Sequence, residues 1–291
     1  LNDITYLTQT SLTGSARYTA MAGAFGALGG DLTAISNNPA ASSVFLNTEI
    51  GGSLNFQERE NESKYYGEFT SLNEEAFYFD QLGAVFVFNN TNEENPWSRI
   101  SAAINVNRMT NFDNQTSLSG INTESIADYF LYYANGIAFE DIQLYDDETI
   151  SDIYRYLGDE IGFGAQQAFL GYQSYIIDPL SPNDLEKSYI SNVSSNKYRN
   201  NLDIINSGFH RKTSFNFSAL YQNILHIGVN LNSHKLEFRN NQDFFEYDQD
   251  IDSFIYNVNF DNDLISYGDG FSIQFGGILK LKNLRIGATY D

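Results

Sequence analysis

Cysteine is absent from the 291 residues. That excludes a disulfide framework and any cysteine-based metal site. Histidine occurs three times, at His210, His226 and His234, tryptophan once and proline four times. Cations are scarce: Lys and Arg number 16 against 37 Asp and Glu, a formal charge of −21. Phosphate needs cationic cover, so no nucleic-acid partner is expected. No run of about eighteen apolar residues exists, which excludes a transmembrane helix but not a barrel, whose strands carry only weak alternating signals. The opening residues, Leu1-Asn2-Asp3, have neither the basic nor the apolar region of a leader. If the protein is exported, its leader is expected to have been removed.

Catalytic chemistry is missing in the same way. No Ser, His and Asp stand in a recognisable hydrolase context, so no catalytic residue is assigned and the chain does not read as an enzyme. Gly23, Gly26, Gly29 and Gly30 could mimic a phosphate loop, but they follow no strand and run into Asn38-Pro39 instead of a helix. His226 and His234 share one face of one strand, eight residues apart at roughly 3.4 Å each, too far to ligate one metal. They read as polar lining. The Asp- and Asn-rich stretch 240–263 lacks the residue order of a calcium loop and reads as solvated. No metal site and no cofactor is assigned.

What is present is aromatic and alternating. Tyr numbers 20 and Phe 23, which suits pleated surfaces. Ile50, Leu54 and Phe56 alternate with Ser53, Asn55 and Gln57. Leu82–Phe88 is apolar on both faces. Ile100–Asn107, Thr213–Tyr221, Leu225–Asn232, Phe271–Leu279 and Leu284–Tyr290 repeat the pattern, giving about seven strands. A soluble sandwich produces the same alternation. Two features favour a transmembrane antiparallel β-barrel instead. The polar face carries Ser, Asn, Gln, Gly and His, which suit a lumen, where a water-facing sheet would carry more charge. The connections also differ in length: short turns at 222–224 and 282–283, long acidic ones at about 58–75, 110–207 and 240–263, as in outer-membrane barrels.

The insertion at about 110–207 is too long to lack structure. Ile126, Tyr129, Phe130, Tyr133 and Ile137 recur at helical spacing, as do Ile150, Ile153, Tyr154, Leu157 and Ile161. Two readings stand side by side. One is a helical lid whose helices pack on each other. The other is an external apolar groove, with Ile126, Phe130, Tyr133, Ile153, Tyr154 and Leu157 as its lining. The acidic connections either keep the protein soluble or form a docking surface.

Before the first strand, residues 21–30 are almost all Ala and Gly. Small residues let backbone thread past crowded side chains, as a plug inside a barrel must. Asn38-Pro39 is a turn-starting pair that would redirect such a plug toward the first strand. Gly14-Ser15-Ala16-Arg17, Met21-Ala22-Gly23-Ala24, Asp31 and Asn38-Pro39-Ala40, in that order, resemble the FadL/TodX family of outer-membrane transporters of long-chain fatty acids and other hydrophobic compounds. The wording ARYTAMAGAFGALGGDLTAISNNPAAS is similar to its Bacteroidota, hemin-receptor-like branch, and KTSFNFSALYQNILHIGVNLNSH and GDGFSIQFGGILKLKNLRIGATYD look like strands of that branch. The branch label leaves a haem ligand as an alternative role for the histidines.

The resemblance implies an all-β fold: a fourteen-stranded transmembrane barrel of which 47–291 supplies about seven strands, a plug or hatch over 1–46 and a helical extracellular loop at about 110–207. It implies an outer-membrane location in a Gram-negative bacterium, a hydrophobic small molecule or lipid as partner, and passive transport with lateral exit through the wall. Asn37, Asn38, Pro39 and Ala40 would form the gate, and Arg17, Gly23, Gly26 and Asp31 the plug. The alternative it implies is an accessory subunit of a type 9 protein-secretion complex, binding envelope proteins. Seven strands cannot close such a barrel, so the natural chain is expected to continue beyond Asp291.

Overall fold

The structure, a computed structural model, describes residues 8, 11–92, 94–193, 197–248 and 254–291. Six of the seven alternating stretches lie within a strand of one curled antiparallel sheet, a half-barrel in outline, and the seventh does so from Arg285. Its strands are β1 (Glu49–Tyr65), β2 (Glu68–Asn89), β3 (Trp97–Asn111), β4 (Asn114–Asn122), β7 (Tyr198–Tyr221), β8 (Leu225–Asp248), β9 (Asn257–Lys280) and β10 (Arg285–Tyr290). They lie side by side in the order β1-β2-β3-β7-β8-β9-β10. β4 continues the line of β3 along β7. The break falls at Phe112-Asp113, opposite Gly208, whose φ of +123° favours glycine and whose Cβ would stand 2.8 Å from the Glu237 carbonyl carbon.

The expected acidic loop 58–75 is almost wholly strand, and of that at 240–263 the residues 240–248 and 257–263 are strand. β1 and β2 meet in a two-residue turn at Tyr66-Gly67, with φ +44° and +91°, the left-handed pair that a tight hairpin needs. β8 and β9 run as a continuous ladder from Leu225↔Leu279 to Tyr247↔Asn257. The reason is visible on β1. Its outward residues change from Ile50, Leu54 and Phe56 to Glu58, Glu60, Glu62 and Lys64. The apolar alternation stops there, but the strand does not.

The sheet is inside out by the standard of a water-soluble domain. Ile50, Phe56, Phe77, Phe79, Phe88, Ile100, Phe217, Phe271 and Phe275 are exposed, several by more than 60%. The other face is polar and buried: Ser101, Asn105, Asn107, Ser214, Asn216, Asn230 and Asn232 are all at most 3% exposed. What buries them is the segment from Ser11 to Leu46. It holds a short helix, α1 (Ala16–Ala20), and two 3₁₀ turns at Thr33–Ser36 and Pro39–Val44. Phe25, Leu32, Ala34, Ile35, Ala41 and Phe45 pack together and against Val85 and Ala103 of the sheet.

Between β4 and β7 stands a helical cap with its own core. α2 (Ala127–Ala134) and α4 (Ile150–Glu160) coincide with the two expected helical stripes. Both pack on a helix that the spacing did not reveal, α5 (Phe163–Gln173), and a single turn, α3 (Phe139–Ile142), completes the group. A two-strand ladder, β5 (Ile177–Pro179) with β6 (Tyr189–Ser191), closes one side. Gly171 permits the α2–α5 approach, since a Cβ there would stand 2.7 Å from the Phe130 Cβ. The cap is tied to the sheet through Glu246 of β8, whose carboxylate accepts from Ser125 Oγ at 2.5 Å and from the Ile126 N–H at 2.9 Å, at the start of α2. Burial holds this carboxyl above its ordinary pKa despite both bonds.

Candidate functional site

The site is the contact between residues 33–46 and the polar face of the sheet. A segment of small residues exposes main-chain carbonyls, and buried carbonyls need donors. The sheet supplies them as side chains. Asn105 Nδ2 donates to Leu32 O at 2.7 Å, Asn230 Nδ2 to Ile35 O at 2.8 Å and Lys212 Nζ to Ser36 O at 2.9 Å. Gln274 Nε2 donates to Asn37 O at 3.3 Å, Asn216 Nδ2 to Pro39 O at 2.8 Å and Arg99 Nη1 to Ser43 O at 3.0 Å. Arg285 Nη1 reaches Leu28 O at 2.9 Å. Side-chain oxygens join in. Asn107 Nδ2 donates to Ser36 Oγ, Ser42 Oγ bonds Asn216 and Ser218, and Ser43 Oγ lies 2.8 Å from His226 Nδ1.

Asn38, Pro39 and Ala40 are fully or nearly fully buried at the centre of this contact. Asn38 caps the second 3₁₀ turn, accepting from the Ala40 N–H at 3.0 Å. Its amide donates to Gly26 O at 2.7 Å and to Gly277 O at 3.2 Å, so one side chain ties the early loop, the turn and β9 together. The sheet is notched to receive it. Gly228 and Gly276 are directly opposite each other on β8 and β9. A Cβ on Gly228 would stand 2.7 Å from Ala40 N, and one on Gly276 would stand 2.6 Å from Pro39 Cδ. On the outer surface the same two glycines line an apolar depression of about 700 Å³ with Trp97, Ile100, Phe217 and Phe275. Asn38-Pro39-Ala40 lies against this stretch of wall, where neither glycine carries a side chain.

The other residues expected in the plug organise the segment itself. Asp31 accepts from Ser15 Oγ at 2.6 Å and from the Thr33 N–H at 2.8 Å, joining the start of α1 to the first 3₁₀ turn. Arg17 lies over the Phe25 ring at 5.3 Å and donates to Gly30 O at 3.3 Å. Gly23 holds a φ of +74°. Gly26 contributes the carbonyl that Asn38 grips. Asn37 is half-buried beside Gln274.

One opening adjoins this contact, and a second lies toward the other end of the sheet. The β2–β3 ladder ends at Gln81↔Asn107, and beyond it β2 pairs only with β1. At that fork Asp80 is a buried bulge residue, Arg108 lies 4.8 Å over the Tyr78 ring, and a cavity of about 250 Å³ opens between Phe79, Leu82, Arg108 and Phe209. The Ser11 N–H donates to Met109 O at 3.2 Å, so the N-terminal segment reaches the fork. The second opening lies under the cap, about 260 Å³ between Phe130, Leu170, Ile176, Ile255 and Phe260. Of the residues expected to line an external groove, Phe130 lines this cavity but is 1% exposed. Leu157 is fully buried in the cap core, and Ile126, Ile153 and Tyr154 are partly buried against that core. Tyr133 packs its ring 4.9 Å from that of Tyr129 and 5.5 Å from that of Phe163.

Sequence reasoning named the turn but not the residues that receive it. Asn105, Asn216, Asn230 and Gln274 all lie at polar positions of alternating strands, which is the signal that marked a lumen; Lys212 stands just before such a stretch and was not marked by it. What the alternation could not reveal is which carbonyl each amide meets. Compared with known proteins, the chain matches no family model, no curated protein and no solved structure.

Proposed function

We propose that this protein is an outer-membrane β-barrel component that moves hydrophobic small molecules, such as long-chain fatty acids, passively past an N-terminal plug. The observation that carries the reading is the pairing of an apolar exposed face with a polar face whose end nearest the short turns is covered by residues 11–46. In water so large an apolar surface would drive aggregation; in lipid it is the required surface. On β2 the outward apolar residues run from Phe77 to Phe88. Eleven steps at roughly 3.3 Å, tilted by about 40°, span about 28 Å, close to the ~25 Å apolar band of such barrels. Trp97 and Tyr221, with rings 5.0 Å apart at one end of that band, suit the membrane–water interface.

Transport of this kind needs no catalysis. Its driving force is removal of apolar area from water, about 25 cal/mol per Å². The cavity under the cap is a first capture site, and the β2–β3 fork or the wall at Gly228 and Gly276 is a sideways exit. The test is uptake of a labelled long-chain fatty acid by cells carrying the protein, with Ala40→Trp as the comparison. Uptake is expected to rise with the protein and to fall to background in the variant. Uptake no greater than in cells lacking the protein would sink the reading.

A second reading has one specific observation in its favour. The cap exposes Tyr132, Tyr156, Phe163, Tyr175, Leu180 and Leu185, each more than half accessible. A surface of that kind fits an accessory subunit of a protein-secretion complex, docked through the cap. Affinity purification from envelope extracts separates the two: a stoichiometric protein partner lost on cap substitution supports docking, and lipid cargo alone supports transport.

A further inference from the structure

We propose that His210 and His234 form a two-imidazole site for a divalent transition-metal ion on the polar face of the sheet, independent of the transport reading. The spacing of His226 and His234 along β8 had argued against a shared metal. The register supplies a different pair. Lys212 is opposite His234 and Leu236 is opposite His210, so the two histidines are diagonal neighbours on β7 and β8. His210 Nε2 faces His234 Nδ1 at 3.1 Å. Two metal–nitrogen bonds of roughly 2.0–2.1 Å spanning that gap subtend an angle of about 98°, between the square and tetrahedral values.

The surroundings fit the same assignment. The far nitrogen of His234, Nε2, lies 3.1 Å from Ser272 Oγ, which already accepts from Asn232 Nδ2 at 3.2 Å. An Nε2–H donated to Ser272 leaves His234 Nδ1 as the acceptor of a hydrogen bond from His210 Nε2–H; a bound ion takes the place of that proton, which His210 then carries on Nδ1. This is the outer-shell arrangement that orients metal-binding imidazoles. The adjacent strand offers no obstruction: Gly270 faces His234 and Gly268 faces Leu236, which leaves room for water or a small ligand on the ion. Lys212 brings a positive charge to the same face, but its ammonium is engaged by Ser36 O, and the Asp291 carboxylate, held by Gln274 Nε2 at 3.2 Å, stands near both. Among the described residues no third His, Cys, Asp or Glu completes a cluster. The ion would therefore keep open positions, which imidazole-selecting Cu²⁺, Ni²⁺ or Zn²⁺ tolerate.

The experiment is titration of the purified, detergent-solubilised protein with Cu²⁺, followed by electron paramagnetic resonance. One equivalent is expected to bind, with a spectrum showing two imidazole nitrogens. His210→Ala and His234→Ala are each expected to weaken binding beyond the ~10–100-fold typical of losing an outer-shell partner, and Ser272→Ala to fall within that range. His226→Ala is expected to retain the copper. No bound copper in the unaltered protein, a spectrum with one imidazole or none, or equal affinity after either of the first two substitutions would overturn the site. The spectrum of the unaltered protein decides the matter even if a variant fails to fold.

Discussion

The notch at Gly228 and Gly276 makes the sharpest claim about how residues 33–46 are held. Consider Gly276→Ala. The new Cβ would stand 2.6 Å from Pro39 Cδ and 2.9 Å from Pro39 N, where ordinary contact begins at 3.4 Å. Asn38 Oδ1 stands closer still, so the segment must move by at least about 0.8 Å. β9 is fixed on both sides by β8 and β10, so the 3₁₀ turn is the part that lifts. Lifting it strains the Asn38 Nδ2 bond to Gly277 O, already 3.2 Å, and the Gln274 bond to Asn37 O, already 3.3 Å. Overpacking of this kind costs about 1–3 kcal/mol. Placed on the docked segment alone, that is a ~5–150-fold shift toward the undocked form. Hydrogen exchange of the Ala40, Ala41 and Phe45 amides, which bond within the turn, reads it directly, with amides of the β7–β8 ladder as the internal reference. Exchange should accelerate in the turn and stay constant in the ladder. If the turn is unchanged in Gly276→Ala, and also in Gly228→Val, the segment does not rest in the notch and the docking argument is wrong.

Other perturbations follow the same logic. Asn230→Ala removes the donor to Ile35 O and leaves a buried carbonyl unpaired, at about 1–3 kcal/mol; denaturant unfolding of the segment should move accordingly. Phe217→Arg puts a charge at the middle of the outward apolar band and should destabilise the protein in bilayers by about 2–4 kcal/mol, whereas Lys235→Ala, beyond the band, should have little effect. Leu157→Ala empties the centre of the cap core and should cost about 2–5 kcal/mol in cap unfolding while the sheet remains folded. Glu246 supplies a pH test. Its pKa is raised in the folded cap, so the folded state holds the proton more tightly than the unfolded one. Its contribution is full below the ordinary value of 4.5 and declines as pH rises through the raised folded value. Glu246→Gln keeps an acceptor for the Ile126 N–H and should flatten this part of the cap's pH profile.

How much of the fold was readable depends on what each residue faces. The seven strands were legible where one face is apolar, because alternation is then forced by two unlike environments. The strand extensions beyond Phe56 and Asn232 and before Phe271 were not. There neither face is consistently apolar: on β1 Glu58, Glu60 and Glu62 alternate with Arg59, Asn61 and Ser63, and on β8 and β9 scattered apolar residues such as Leu236, Phe245, Leu264 and Ile265 fall on both faces. A strand whose two faces meet similar surroundings has no period-two signature, and acidic composition alone reads as loop. α5 escaped for a related reason. Phe163–Gln173 is buried on much of its surface, with Ala165, Gln167, Ala168, Phe169 and Gly171 all inside. A helix surrounded by its neighbours has no polar stripe to set its apolar one in relief.

The docking contact was half legible, and the missing half is specific. Asn38-Pro39-Ala40 stood out because a turn-starting pair closing an Ala/Gly run is locally distinctive. Its receptors are common residues made special by register. Gly228 and Gly276 are separated by 48 positions in the sequence, and only the β8–β9 ladder makes them neighbours. The same holds for His210 and His234, which only the β7–β8 pairing sets diagonally; the spacing along one strand bore on His226 and His234 alone. Register in these strands is itself fixed by function-bearing constraints. A slip of one residue would turn Gly228 and Asn230 outward and bring Val229 and Leu231 against the carbonyls of residues 35–39. The glycine notch, the amide donors and the apolar outer band therefore enforce a single register together. A substitution that disturbs one of them is expected to be felt in the other two.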